Sequence, residues 1–100
     1  MDTDVIEKVK QYAEAVRAVM PVKMIILYGS YARGTQNRYS DIDVAVVCDK
    51  LNGDILDISF QLYKLRRPID TDIEPILLES GDDFLRSILE YGTVVYPSAA

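Results

Sequence analysis

Apolar residues recur along the chain at two different spacings, and the order of those spacings predicts an α/β protein. Helical spacing defines three segments, residues 4–20, 54–65 and 82–90. Strand-like runs define four more, residues 23–28, 41–47, 69–78 and 93–96. A turn and a brief helix are expected over residues 29–34, followed by a polar loop. Helices and strands that alternate in this way predict a two-layer α/β arrangement.

The overall charge narrows the range of partners. The 100-residue chain has a net charge of −5, whereas a domain that grips nucleic acid unaided usually shows a basic face. We therefore expect no long nucleic-acid substrate.

No apolar stretch approaches the roughly 20 residues that span a bilayer, and the amphipathic start is unlike a signal peptide. The sequence predicts one cytoplasmic domain over residues 1–100, with no membrane contact and a loose end at residues 98–100.

The residue types restrict the chemistry further. The chain contains no histidine and one cysteine, Cys48, which we interpret as a small buried apolar residue. These counts exclude Ser-His-Asp and Cys-His catalysis and most zinc sites. A catalytic metal would have to be held by carboxylates, which favours Mg²⁺ or Mn²⁺.

The informative motif lies across the first two predicted strands. Gly29 ends the first strand, where a missing side chain lets backbone amides approach a ligand. Ser30 opens the brief helix, whose free N–H groups favour an anion. Asp41 and Asp43 are two residues apart on the second strand, so both carboxylates project from one face. A cation between them would relieve their repulsion, and Mg²⁺ with phosphate oxygens suits that geometry.

Further acids alternate along the third predicted strand. Asp70, Asp72 and Glu74 would share one face of that strand. If the strand lies beside residues 41–47, one of the three completes a carboxylate cluster able to hold two metal ions. Their spacing alone does not select among them.

These motifs closely resemble the nucleotidyltransferase superfamily that includes DNA polymerase beta. Its pattern is Gly-Ser, then about ten residues, then Asp-x-Asp, and here Gly29-Ser30 precedes Asp41-Ile42-Asp43 at that distance. In so short a chain the motifs are similar to the minimal nucleotidyltransferases (MNT), over nearly the whole length. The resemblance implies a polymerase beta-like fold, with a short mixed sheet and helices packed mainly on one side.

The resemblance also implies roles for individual residues. Gly29 and Ser30 would hold the β- and γ-phosphates of ATP, and Asp41 and Asp43 would bind two Mg²⁺ ions. The third acid, a metal ligand that helps to deprotonate the acceptor, would be Asp72 in preference to Glu74, with Asp70 last.

A partner protein is a further implication of the resemblance. Minimal nucleotidyltransferases commonly pair with a helical HEPN protein, often an RNase toxin, and can act as antitoxins by moving AMP from ATP to a tyrosine of that toxin. Two alternatives remain open at this point. One is a non-catalytic nucleotide-binding module that neutralises its partner by occlusion, and the other is a small-molecule transferase of the aminoglycoside-modifying kind.

Residues around the motif have weaker predictions. Arg33 and Arg38 are candidates for phosphate contact. The tyrosines near the motif, and Tyr91 and Tyr96, are interpreted as packing residues. The basic group at residues 64–67 is expected to be a solvated helix end or a partner contact. Exposed apolar residues of the helices offer a surface either for a second copy, giving a homo-oligomer, or for the partner.

Overall fold

The predicted alternation of helices and strands is present in the computed structural model, which describes residues 3–97. The predicted loose end at residues 98–100 lies outside the described residues. The elements in chain order are α1 Thr3–Val19, β1 Met24–Tyr28, α2 Gly29–Arg33, β2 Ile42–Cys48, α3 Ile55–Leu65, β3 Ile73–Glu79, α4 Asp83–Leu89 and β4 Thr93–Tyr96. No helix within residues 3–97 is both long enough and apolar enough to cross a membrane.

The four strands form one mixed sheet in the order β3-β2-β1-β4. β2 lies in the middle, antiparallel to β1 and parallel to β3, while β1 also pairs antiparallel with β4. The end of β1 and the starts of β2 and β3 therefore lie side by side at one end of the sheet. The predicted mixed sheet and its neighbouring third strand are confirmed.

The two faces of the sheet are covered unequally. The larger buried cluster joins α1 and α3 to one face, through apolar residues that include Val9, Tyr12, Leu27, Val44 and Leu62. The smaller cluster joins only α4 to the other face, through residues that include Ile26, Ala45 and Ile88. This agrees with the prediction that the helices pack mainly on one side. Cys48 is buried, as predicted.

Local capping fixes where two of the helices begin. The Asp54 carboxylate accepts hydrogen bonds from the backbone N–H groups of Leu56 and Asp57, and thereby caps α3 as predicted. The Asp82 carboxylate caps α4 through the N–H of Phe84, so this helix begins one residue later than predicted.

The start of β3 differs from the sequence prediction. Asp70 and Asp72 do not share a strand face with Glu74, because β3 begins only at Ile73. Asp70 instead closes a turn, since its Oδ1 accepts from the backbone N–H of Asp72 at 2.8 Å. Its Oδ2 accepts from Lys8 Nζ of α1 at 2.9 Å. The predicted alternation was wrong here because the Asp70 side chain forms hydrogen bonds within a turn. The backbone in that turn cannot also take part in strand pairing.

A buried hydrogen bond between helices predicts a loss of stability when it is removed. The Tyr12 hydroxyl donates to the backbone carbonyl of Leu62 at 2.7 Å and thereby joins α1 to α3. Tyr12→Phe leaves that carbonyl without its partner, so the free energy of unfolding should fall by about 1–3 kcal/mol in urea titrations. Tyr39 is 78% exposed, and Tyr39→Phe is the control, expected to change stability by less than about 0.5 kcal/mol. Equal effects of the two variants would contradict this role for Tyr12.

The Lys8–Asp70 pair predicts that stability falls in acid. Burial acts to raise the pKa of Asp70, but the hydrogen bonds from Lys8 and from the Asp72 backbone outweigh it and hold the pKa below 3.8. Because the folded pKa is the lower one, the stabilisation is present above pH 3.8 and is lost as the pH falls through the folded value. Asp70→Asn should therefore destabilise the chain at neutral pH, and its difference from wild type should shrink toward about pH 2 in urea titrations. A difference independent of pH would refute this linkage.

Candidate active site

The register of the sheet places the motif acids beside one another. Asp43 on β2 lies opposite Tyr28 on β1 and next to Glu74 on β3. Paired residues of neighbouring strands project from the same face. Because Asp43 and Ala45 are two residues apart on one strand, the acids share the face that carries α4. Asp43 and Glu74 therefore lie side by side on the less covered face of the sheet.

Gly29 brings the backbone of the turn close to the Asp43 carboxylate. Its φ of +73° is a left-handed conformation that residues with side chains rarely adopt. A Cβ at this position would lie 2.1 Å from Asp43 Oδ2 and 2.9 Å from Asp43 Cγ. Only glycine fits here. The turn that follows β1 consequently lies against Asp43 of β2, which is a candidate metal ligand.

The electrostatics of the site centre on Asp43. Burial, followed by the nearby charges of Asp41 and Glu74, raises the pKa of the Asp43 carboxyl. Burial, followed by the charge of Asp43, also raises the pKa of the Tyr28 phenol to about 12. Negative charge is thus concentrated in a partly desolvated place, which is the condition under which a cation is attracted.

The carboxylates are suitable metal ligands by their chemistry, but in the described part of the chain they are not grouped closely around one point. Oxygen ligands, and carboxylates in particular, are those that Mg²⁺ prefers. Within residues 3–97, however, no three His, Cys, Asp or Glu side chains stand close enough together to hold a metal ion. Asp41 is exposed just before β2, and Asp72 is exposed in the turn before β3. Asp43 and Glu74 are the central residues of the candidate site. The Asp41 side chain would have to move closer to them in order to bind the same metal ion.

A second group of contacts lies at the start of α2. The Gly29 backbone N–H donates to the Tyr91 hydroxyl at 3.3 Å, and the Arg33 guanidinium stacks 3.7 Å above the centre of the Tyr91 ring. Sequence reasoning assigned Tyr91 to packing and missed this position. The only signal for it was a tyrosine beside Gly92 at the end of the last helix, which does not indicate a contact 62 residues away.

The remaining predicted residues lie farther out or elsewhere. Ser30 follows Gly29 in α2, and its carbonyl accepts from the N–H of Gly34. Arg38 lies in the exposed loop and donates to the Tyr39 hydroxyl at 2.5 Å. The structure brings Gly29 close to Asp43 and pairs Asp43 with Glu74, and Tyr91 links Arg33 to Gly29. It does not bring Arg38 to them.

The basic group at residues 64–67 is not uniformly solvated. Lys64 stacks on the exposed ring of Phe60, in agreement with a solvated helix end. Arg66 instead is 24% exposed, and its Nη1 lies 3.9 Å from Glu74 Oε1. Arg66 therefore borders the acid pair, a contact that depends on the path of the chain between α3 and β3.

Comparison with known proteins shows the family to which the chain belongs. The family model described as polymerase beta, nucleotidyltransferase matches residues 7–99. The protein adenylyltransferase MntA of Shewanella oneidensis is 40% identical over 67 residues, which cover 64% of this chain and 45% of MntA. The Methanocaldococcus jannaschii protein MJ0604, provisionally named a protein adenylyltransferase, is 33% identical over 94 residues, which cover 88% of this chain and 94% of MJ0604.

Solved structures share the fold. A provisionally described nucleotidyltransferase of Sulfolobus solfataricus has a TM-score of 0.66 and 23% identity, covering 90% of this chain and 78% of that one. A toxin–antitoxin complex with AMP-PNP has a TM-score of 0.62 and 26% identity, covering 93% of this chain and 73% of that one.

The fold and the acid pair together define a nucleotidyltransferase domain. With the family match over residues 7–99, the chain belongs to the polymerase beta nucleotidyltransferase family, as the motifs predicted. It spans about half the length of MntA.

The two left-handed glycines at the ends of α2 give a matched pair of substitutions. Gly34 also has a positive φ, but a Cβ there would meet no atom within 4 Å. Gly34→Ala should lose only the conformational energy, about 1–2 kcal/mol in urea titrations. Gly29→Ala adds the collision with Asp43, so it should lose more stability and also weaken binding of a Mg²⁺–nucleotide complex in calorimetry. Equal behaviour of the two variants would show that close approach to Asp43 is unimportant.

Proposed function

We propose that this chain transfers AMP from ATP to a hydroxyl of a partner protein. The acceptor that the sequence predicts is a tyrosine of a HEPN-type toxin. The names of MntA and MJ0604 as protein adenylyltransferases support the reaction type. The likeness to a toxin–antitoxin complex with AMP-PNP supports an ATP-like donor and a toxin partner.

One observation carries the proposal, namely the contact between Gly29 and Asp43. A backbone turn suited to phosphates lies close to a half-buried carboxylate suited to a metal ion. Nucleoside triphosphates bind as metal complexes whose ions bridge carboxylates and phosphate oxygens. This adjacency is what a metal–triphosphate site requires, and an ordinary strand-to-helix turn has no need of it.

For the metal we propose Asp41, Asp43 and Glu74 as ligands, and the prediction of two Mg²⁺ ions is retained as part of the proposal. Glu74 is preferred to Asp72 as the third acid because Glu74 lies in register with Asp43 and its charge raises the pKa of Asp43. When bound, the ions neutralise phosphate charge and polarise the acceptor oxygen. The repulsion between the carboxylates is relieved at the same time.

For the phosphates we propose Gly29, Ser30 and Arg33. The Tyr91 ring holds the Arg33 guanidinium beside Gly29, where it can pair with phosphate oxygens. Tyr91 also accepts from the Gly29 N–H, and that amide becomes available when a phosphate replaces the phenol. Arg38 would reach the nucleotide only if its exposed loop closed over the site.

The reaction is a displacement at phosphorus. The acceptor hydroxyl oxygen forms a bond to the α-phosphorus, and the bond from that phosphorus to the oxygen bridging to the β-phosphate breaks. Pyrophosphate leaves with those electrons, while Glu74 or solvent takes the hydroxyl proton. The chain contributes mainly position and charge, since no covalent intermediate is needed.

The occlusion alternative also has an observation in its favour. α3 exposes large apolar side chains, with Leu56 80% exposed and Phe60 56% exposed. An apolar surface of this kind can bind a partner without any chemistry. The two functions differ in whether the site acids are needed once the complex has formed.

The experiment that tests the proposal is intact-mass spectrometry of the copurified partner before and after addition of ATP and Mg²⁺. We expect the partner to gain one or more AMP units with the wild-type chain, and none with the Asp41→Asn/Asp43→Asn double variant, because that variant loses the metal-binding charge. The control is Glu14→Gln/Asp49→Asn, which removes the same charge from exposed acids outside the site and outside α3 and should retain transfer. A partner that binds every variant and never gains mass would support occlusion.

A further inference from the structure

The end of α3 holds Glu74 from outside the sheet. The Tyr63 hydroxyl, in the last turn of the helix, donates to Glu74 Oε2 at 3.1 Å. Arg66, the capping residue, places Nη1 3.9 Å from the other carboxylate oxygen. Each oxygen of Glu74 therefore faces a group that belongs to one short segment of the chain.

This segment is itself fixed to the strand that carries Glu74. Arg66 Nη1 also donates to the backbone carbonyls of Thr71 and Ile73, the latter at 3.2 Å. The Arg66 guanidinium lies 4.9 Å from the centre of the Tyr63 ring, which restricts both side chains. Tyr63, Arg66 and the first residue of β3 thus form one unit around the carboxylate.

Glu74 needs such a unit because nothing in its own position fixes it. Its side chain is 39% exposed and has three torsions that water leaves free. The like charge of Asp43 would turn it toward solvent. A hydrogen bond from a neutral phenol opposes that movement without adding a positive charge, and the Arg66 cation stands farther from the carboxylate, at 3.9 Å. Outer hydrogen-bond partners of this kind commonly govern metal affinity by about 10–100-fold.

We propose that Tyr63 is a positioning residue, whose hydroxyl holds Glu74 beside Asp43 so that Glu74 can act as the third carboxylate of the metal–nucleotide site. The inference rests on the proposed function for the identity of that site. It does not depend on which acceptor receives AMP.

The test is calorimetric titration of the whole chain with Mn²⁺ and a non-hydrolysable ATP analogue, which requires no acceptor. Tyr63→Phe removes one oxygen and keeps the ring against Arg66. We expect the affinity to fall about tenfold or more. Tyr96→Phe is the matched control, because Tyr96 pairs with Ile25 at the opposite end of β1 from the site. It should bind as wild type does.

A double-variant cycle separates positioning from a general structural role. In the Glu74→Gln background the carboxylate is already lost, so adding Tyr63→Phe should change the affinity little. Unchanged affinity of the single Tyr63→Phe variant would overturn the proposal, as would an equal loss in both backgrounds or a wild type that binds no Mn²⁺–nucleotide. If the affinities follow the expected pattern while no partner gains AMP, positioning stands and the transfer function fails.

Discussion

The contact of the Gly29 backbone with the Asp43 carboxylate is the constraint on which the rest of the site depends. It requires a left-handed residue without a side chain where β1 ends, and α2 follows that turn with Tyr31 and Ala32 packed against the larger apolar cluster. It also requires antiparallel pairing in which Asp43 faces Tyr28. A shift of one residue would turn Asp43 to the face covered by α1 and α3, where a charge would be buried among apolar side chains.

The clustering of acids in the candidate site lowers local stability. The apolar packing on the opposite face of the sheet offsets that loss. Partial burial, followed by the charges of neighbouring acids, raises the pKa of Asp43, so its charged form is disfavoured in the folded chain. The larger apolar cluster lies on the other face and involves none of the site acids. Separating the two faces lets the core remain well packed while the exposed edge holds mutually repelling groups.

Local patterns were sufficient to predict the fold and to name half of the residues in the candidate site. Gly29, Ser30, Asp41 and Asp43 lie in two short segments whose spacing can be read directly, and strand pairing then joins those segments. The third acid could not be chosen in this way, because Asp70, Asp72 and Glu74 have the same alternation. What separates them is a lysine 62 residues from Asp70 and a turn that delays β3 until Ile73. Tyr63 and Tyr91 were missed for a similar reason, since their roles arise from tertiary contacts and leave no periodic signal.

These two tyrosines suggest why the helices outside the sheet matter to its chemistry. The strands supply charge, as the carboxylates of Asp43 and Glu74, whereas Tyr63 and Tyr91 supply neutral hydroxyls at Glu74 and at Gly29, the proposed metal and phosphate ends of the site. A lysine at either position would also form hydrogen bonds, but near the acids it would compete with a bound cation, and a carboxylate would repel phosphate. A phenol can orient a charged group and leave its charge available. The arrangement of tyrosines around the acid pair therefore fits the proposed site for a cation together with an anion, in which Arg66, 3.9 Å from Glu74, forms only a long ion pair at the border.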